Sequence, residues 1–553
     1  MNNAQPSQSR WKLILVITII CLVYLGYTGI ESYSKTPKWI GLLCLALVLF
    51  LMLRKQGVKW SWGLSIWSVF ILQYIIQSAA SYNGFDALAN SLPLLIGPFL
   101  VLALFRKQDS VSQLTDLGIL VAFISFPLIA YGLIELSDLA EASNYTRTSS
   151  YQVRFSFGHK NQLSQFFTLL VPLYALGVVS VAEKWKKGLF VFSIFMIFVF
   201  VTLLMNRTSL ILLYGVYPFV LIIYLIHKYL STSLKKVAYG VVGGVVLIGF
   251  ILIVTIPDSI PFVADWLHSE SGQERLMIWQ NSLELAKEAP IFGHGSGDWK
   301  IEILRTSLER LGSENQVFFQ RAHNEFIHTL VENGIIGVLI LIAFYVYSIF
   351  SIIRSSISFQ MKLFSLTGVL SFLIISNLSF PLERVELVFL LFLFLLPSFK
   401  SVEQRKSLIN YSLLGMTIMC LFFAVSWIRQ ERNFFLFKSE DEIDLTENIS
   451  SFTLDGTSTP VSFYEGNYYF SRQKYQQAKT SFEEALERNP YHVHVLNNLA
   501  STQSLTGQIE EAKANYERLF SIDSTFTEGL INAASVCFNS GDSEQALEYL
   551  LRI

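Results

Sequence analysis

The feature that most constrains this chain is a succession of apolar runs, each close to the length a helix needs to cross a bilayer. A spanning helix takes about 20 consecutive apolar residues. About thirteen such runs can be drawn, near 13–30, 39–53, 61–79, 87–105, 116–135, 163–182, 188–205, 208–226, 237–256, 335–353, 363–380, 386–399 and 409–428. The stretch 188–226 is too long for one span, and Asn206-Arg207 breaks it near its middle, so it divides into two helices joined by a tight turn. The run at 386–399 is the shortest. The first run follows Arg10 and Lys12 and has no small-x-small cleavage site, which reads as a retained span rather than a signal peptide. The expected fold is therefore all-α, a polytopic transmembrane helix bundle.

Charge agrees with that class. Charged residues make up 15% of the chain, against about 25% in a typical soluble domain. The net charge of −1 conceals an asymmetry: residues 430–553 hold 9 Lys/Arg against 19 Asp/Glu, and residues 1–429 hold 32 against 23. A basic, apolar body is joined to an acidic tail, which sets the expected domains at 1–429 for the membrane part, 430–458 for a linker and 459–553 for a soluble unit. Orientation follows from Lys and Arg in short loops. With the N-terminus inside, the inside segments carry 18 of them and the short outside loops 7. The 257–334 loop and the tail from about 430 then face outward. Cys21, Cys44 and Cys420 lie in apolar runs and Cys537 in the tail, with no C-x-x-C pair, so neither a disulfide framework nor a zinc site is indicated.

The tail repeats at a spacing of 34 residues. Gly466, Ala500 and Ala534 align as small residues, as do Ala478, Ala512 and Ala546. Gln473, Gly507 and Gly541 align more loosely, and Phe482, Tyr516 and Leu550 align as large residues. Small residues let paired helices approach, and large ones fill the space toward the next repeat. The pattern resembles the tetratricopeptide repeat, with Pro490 where that repeat turns. Stacked helix pairs create a concave face, so a protein partner docked there is expected, with a passive spacer as the alternative. The chain stops partway through the third repeat without a polar capping helix, and the expectation is truncation or packing on something else.

The 257–334 loop is far longer than an ordinary connection. Glu274 to Ala289 reads as an amphipathic helix ended by Pro290, and a glycine-rich turn, Pro290-Ile291-Phe292-Gly293-His294-Gly295-Ser296-Gly297, follows. Four strings then stand in order: Glu274-Arg275-Leu276-Met277-Ile278-Trp279, Pro290 to Gly295, His323-Asn324-Glu325-Phe326, and Glu332-Asn333-Gly334-Ile335-Ile336-Gly337. Together they resemble the signature loop of the O-antigen ligase superfamily, which includes O-antigen ligases, O-antigen polymerases and bacterial O-oligosaccharyltransferases. Upstream, Phe157-Gly158-His159-Lys160-Asn161 resembles its glycine-to-asparagine element, and Asn206-Arg207 its Ser-Arg element with Asn in place of Ser. The likeness in order and topology covers roughly residues 1–429.

The resemblance implies glycan transfer at the outer face of a bacterial cytoplasmic membrane. The donor would be a polyprenyl-diphosphate-linked glycan, and the acceptor a glycan, a lipid or a protein hydroxyl. It implies neither a metal nor a nucleotide sugar, and no cofactor is expected. Breaking a sugar–diphosphate bond releases a highly charged leaving group, for which the planar, permanently charged fork of arginine is suited. Arg275, Arg207, Arg154 and Arg321 are the candidates. An acceptor hydroxyl benefits from a general base, and His323 is the candidate. Each has a plainer reading: Arg207 can snorkel to lipid phosphates, Arg154 can bind headgroups, Arg275 can stack on Trp279, and His323 can cap a helix. His159 and Lys160 read more readily as structural, and so does His294.

Other motifs fail. The Gly293-x-Gly295-x-Gly297 run lacks the spacing and preceding strand of a dinucleotide site, and no Gly-x-x-x-x-Gly-Lys-Ser/Thr run exists. His323 and His328 are five residues apart and do not share a helix face as zinc ligands do. Nothing points to nucleic-acid binding. The competing classes are a glycan transporter without bond-making, which would place substrate groups near the midplane, and an assembly scaffold acting through its repeats.

Overall fold

The structure is a computed structural model, and it describes residues 8–24, 36–52, 59–105, 111–142, 149–153, 155–306, 319–399, 403–404, 413–426, 454 and 458–553. Arg154 and most of the 430–458 segment lie outside the described residues. The body is built of α1 (Gln8–Tyr24), α2 (Thr36–Met52), α3 (Trp62–Gln77), α4 (Gly84–Leu104), α5 (Val111–Ala142), α6 (Lys160–Ser180) and α7 (Lys184–Leu204). It continues with α8 (Arg207–Tyr229), α9 (Thr232–Thr255), α10 (Glu270–Glu288), α11 (Glu325–Arg354), α12 (Phe359–Ser376), α13 (Val385–Phe394) and α14 (Leu413–Ser426). Strand pairing among the described residues amounts to two residues a side, Lys59–Trp60 against Glu403–Gln404.

Eight of these helices are long and apolar enough to cross a membrane by length and composition, and four shorter apolar helices accompany them. The chain is a multi-pass, all-α membrane protein. The short run near 386–399 forms a helix of only 10 residues, α13, buried at every position. At 1.5 Å per residue it is about 15 Å long, half of the ~30 Å hydrocarbon thickness. It is a core helix: Phe392 packs edge-on against Trp67 of α3 at 5.1 Å, and Trp67 also meets Phe344 of α11 at 4.9 Å. In the two-residue strand pairing, Lys59 stands in register with Gln404 and Trp60 with Glu403.

Helix starts are set by local capping. Met205 adopts the left-handed conformation after α7, and the Asn206 side chain then accepts from Ser209 N at 2.8 Å to begin α8. Asparagine satisfies an orphan amide there, a role that serine can also fill. The predicted break inside 188–226 falls at this turn. A π-helical segment, Ile211–Val216, follows just ahead of Pro218, whose missing N–H disturbs the ordinary ladder. His159 caps α6 through Nδ1, and Asn324 caps α11 by accepting from Phe326 N and Ile327 N at 3.0 and 3.1 Å.

The tail folds as three helix pairs, α15 (Val461–Ser471) with α16 (Tyr475–Arg488), α17 (Val493–Leu505) with α18 (Ile509–Ile522), and α19 (Thr527–Asn539) with α20 (Ser543–Leu551). Gln473, Gly507 and Gly541, the loosely aligned positions, take the same left-handed turn between the helices of each pair, with φ of 58°, 81° and 88°. Ala478, Ala512, Ala546, Phe482 and Tyr516 are buried as the alignment predicts, whereas Leu550 is exposed and Tyr549, one residue earlier, is buried.

Candidate functional site

The loop after α9 is anchored on α10. Trp279, on that helix, donates its indole N–H to the carbonyl of Ala322 at 2.8 Å, which straps the segment before His323 onto the helix that carries Arg275. His323 itself sits at φ 53°, a left-handed conformation uncommon for a residue with a side chain. Such geometry persists where the surroundings over-determine it. Here the Trp279 strap precedes it, the Asn324 cap follows it, and the Phe380 ring packs edge-on at 5.3 Å.

Burial, then the nearby charges of Arg275, His159 and Arg321, push the His323 imidazole down to about 3. It is neutral at physiological pH and free to take a proton. Arg321 is ion-paired with Glu383, and Arg384 stands over the Phe380 ring at 5.7 Å. The structure thus gathers Arg275, Arg321 and His323, which the sequence singles out, and adds His159, Glu383 and Arg384.

Arg207 is placed differently. At the start of α8 it donates to Asp265 Oδ2 at 2.6 Å and to Ser269 Oγ at 2.7 Å. Ser269 is the residue before α10, so Arg207 meets the same helix as Arg275, about one and a half turns earlier. The Asp265 carboxylate is exposed. Lys160 is buried and donates to Ser150 Oγ.

The glycine-rich turn is a scaffold. His294 N donates to Val331 O at 2.8 Å, Gly295 N to Glu332 O at 3.1 Å, and Ile335 N to Pro290 O at 2.9 Å. These bonds zip the turn onto a kink in α11 at Gly334. Gly293 and Gly334 have φ of 79° and 62°, and a Cβ on either would fall 2.3 Å or less from the other segment's backbone. Ser296 Oγ donates to Tyr74 O at 3.0 Å, and Gln73 Nε2 to Asn333 O at 2.8 Å, fastening the assembly to α3. His294 Nε2 meets Leu285 O at 2.9 Å, a structural contact. Asp298, fully buried, accepts from Ser81 Oγ at 2.6 Å and Tyr82 N at 3.2 Å, yet burial still raises its carboxyl to about 7. Among the described residues, no group of His, Cys, Asp and Glu could hold a metal ion.

Arg384 was visible in the sequence only as one more basic residue in a short loop, and Glu383 and Asp298 carried no signal. Their roles come from neighbours far along the chain.

The fold defines a multi-pass membrane protein with a helical-repeat tail. Residues 191–342 match the O-antigen ligase family, and that span contains Arg207, Arg275, Arg321 and His323. Residues 465–492 and 481–514 match tetratricopeptide repeat families. The resemblance read from the loop and tail motifs is therefore matched in both parts. Curated relatives align over short stretches. They include an Hsp70-Hsp90 organizing protein of Triticum aestivum, 33% identical over 84 residues, 15% of this chain and 14% of the relative. Hsp70-Hsp90 organizing protein 3 of Arabidopsis thaliana is 30% identical over 84 residues, 15% of each chain. An uncharacterized protein of Haemophilus influenzae is 31% identical over 81 residues, 15% of this chain and 20% of the relative. The match spans about one seventh of the length of the first two relatives.

Proposed function

We propose that the protein transfers a glycan from a polyprenyl-diphosphate carrier to an acceptor hydroxyl at the outer face of the bacterial cytoplasmic membrane. The observation that carries the reading is the position of His323, held between the Trp279 strap and the Asn324 cap against Phe380, with Arg275 and Arg321 as the neighbouring charges. The acceptor oxygen bonds to the anomeric carbon of the donor sugar as the bond from that carbon to the diphosphate breaks. The diphosphate leaves with the bonding pair, and the acceptor's proton passes to His323. Negative charge grows on the leaving group, so a cation aimed at it stabilises the transition state more than the ground state. Arg275 fills that role, with Arg207 and Arg321 binding the diphosphate and Arg154 a further candidate.

A pKa near 3 makes His323 a weak base. Burial is the larger cause and the neighbouring cations the smaller one; a bound diphosphate offsets the cations' share and strengthens the base by that much. In this reading residues 1–429 form the transferase, the N-terminus is cytoplasmic, and the repeats lie outside and recruit a protein partner. A reporter active only in the periplasm, fused after Ile553, should work, and activity of a cytoplasm-only reporter there would reverse the orientation.

The test of function is transfer by the purified protein from a lipid-diphosphate glycan, paired with the surface glycans of a deletion strain. Loss of long chains with lipid-linked polymer accumulating identifies a ligase acting on lipid A–core. Single-repeat products identify a polymerase, and loss of glycoproteins alone a protein O-oligosaccharyltransferase. Normal glycans of all three kinds would sink the transferase reading and favour a transporter or scaffold.

A further inference from the structure

The end of the segment expected to be a linker is packed into the protein. Leu454 and Ser458 are both buried, and Leu454 forms a bridge with Pro460. Leu454 N donates to the carboxylate of Asp86 at 3.3 Å. Asn83 Nδ2 donates to Arg488 O at 2.9 Å, in the last turn of α16. Asn489 Nδ2 donates to Ser458 O at 3.1 Å, and His492 meets Thr459 Oγ1 at 3.4 Å. Asn83, Asp86, Ser458, Asn489 and His492 are all buried. Buried polar groups are costly unless partnered. A row of partnered ones joining the first repeat to the turn between α3 and α4 is a specific seat for the repeat array, not a loose tether.

The seat reaches the site at one point. Ser458 Oγ donates to Gln320 Oε1 at 3.0 Å. Gln320 precedes Arg321 and stands three residues before His323. Residues 319–324 belong to no helix or strand, so side-chain contacts hold them: Trp279 at Ala322, Glu383 at Arg321, the Asn324 amide on Asn377 O at 3.3 Å, and Ser458 at Gln320. His323 in its left-handed conformation depends on that set.

We infer that the repeat array acts on the transfer site through the Ser458–Gln320 contact, which makes these two positioning residues for Arg321 and His323. The inference rests on the reading of His323 as the base. The contact couples whatever loads the array to the geometry of the imidazole, since a shift of the first repeat moves Gln320 and the segment with it.

The experiment uses the full chain in lipid nanodiscs and compares wild type with Ser458→Ala, Gln320→Ala and an exposed control, Ser471→Ala. Backbone hydrogen exchange over 319–324 should rise several-fold in the first two and stay unchanged in the control. The turnover number should fall by up to roughly tenfold, the scale of one neutral hydrogen bond, and the donor KM should rise with it, because Arg321 binds the diphosphate. Gln320→Ala lies on the membrane side of the contact, so it keeps the test valid if Ser458→Ala disturbs the tail. Unchanged exchange over 319–324 in both variants, with an active wild type, overturns the inference. A wild type inactive with every lipid-diphosphate donor overturns the functional reading instead.

Discussion

Trp279 and Ala322, 43 residues apart, are joined by one hydrogen bond of 2.8 Å from the indole N–H to the backbone carbonyl. That bond ties the arginine-bearing helix to the histidine-bearing strap. Trp279→Phe keeps an aromatic ring and removes the donor. A carbonyl left unsatisfied costs about 1–3 kcal/mol, so we expect a lower melting temperature and a transfer rate reduced by roughly tenfold or more. Differential scanning fluorimetry and a transfer assay check both, and a wild-type rate would mean that the strap does not position His323.

His323→Ala should leave donor binding nearly intact and slow transfer by roughly 10²–10⁴, the range for a lost general base. Arg275→Ala should weaken donor binding and slow transfer together. Arg275→Lys should rescue only partly, because a point charge cannot reproduce two parallel bonds to phosphate. Donor titration and single-turnover rates separate these outcomes, and near-normal transfer by His323→Ala would remove it from the mechanism.

The pH profile carries a signed expectation. His323 must be neutral to accept a proton, and its lowered pKa keeps it neutral well below the ordinary value of 6.5. The acid limb of kcat/KM that belongs to His323 should therefore lie below about pH 5. Arg275→Ala removes one of the cations that depress it, so the limb should move upward toward 6.5. A wild-type limb at 6.5 would contradict the burial and charge seen here.

Asp298 tests the scaffold rather than the chemistry. Its folded pKa of about 7 lies above the ordinary 3.8, so the folded state holds the proton more tightly. The stability this adds is fully present below about pH 4 and is lost as pH rises through 7. Asp298→Asn mimics the protonated form and should flatten the pH dependence of the melting temperature across that window.

Gly293→Ala should be damaging although it lies outside the proposed chemistry. Its Cβ would sit 2.3 Å from the Glu332 carbonyl carbon at a φ of 79°. Strain of this kind costs on the order of 1–3 kcal/mol before the clash is counted. We expect a lower melting temperature and loss of the turn's protection against hydrogen exchange, and an undisturbed melting curve would mean that the zip onto α11 is loose.

The sequence alone determined the apolar helices, the break at Asn206-Arg207, the repeat period and the candidates His323 and Arg275. Each depends on contiguous residues: a run of apolar side chains, a capping amide at a helix start, a small residue every 34 positions, a short motif. It also suggested that the glycine-rich turn mattered, without showing that its amides bond to α11 instead of facing a ligand. Only the tertiary structure decided that Arg321 pairs with Glu383, that Arg207 meets Asp265, that α13 is a buried core helix, and that Ser458 holds Gln320. These partners stand dozens of residues apart or more. No local periodicity encodes such pairs, because what brings them together is the packing of helices whose buried faces fit one another.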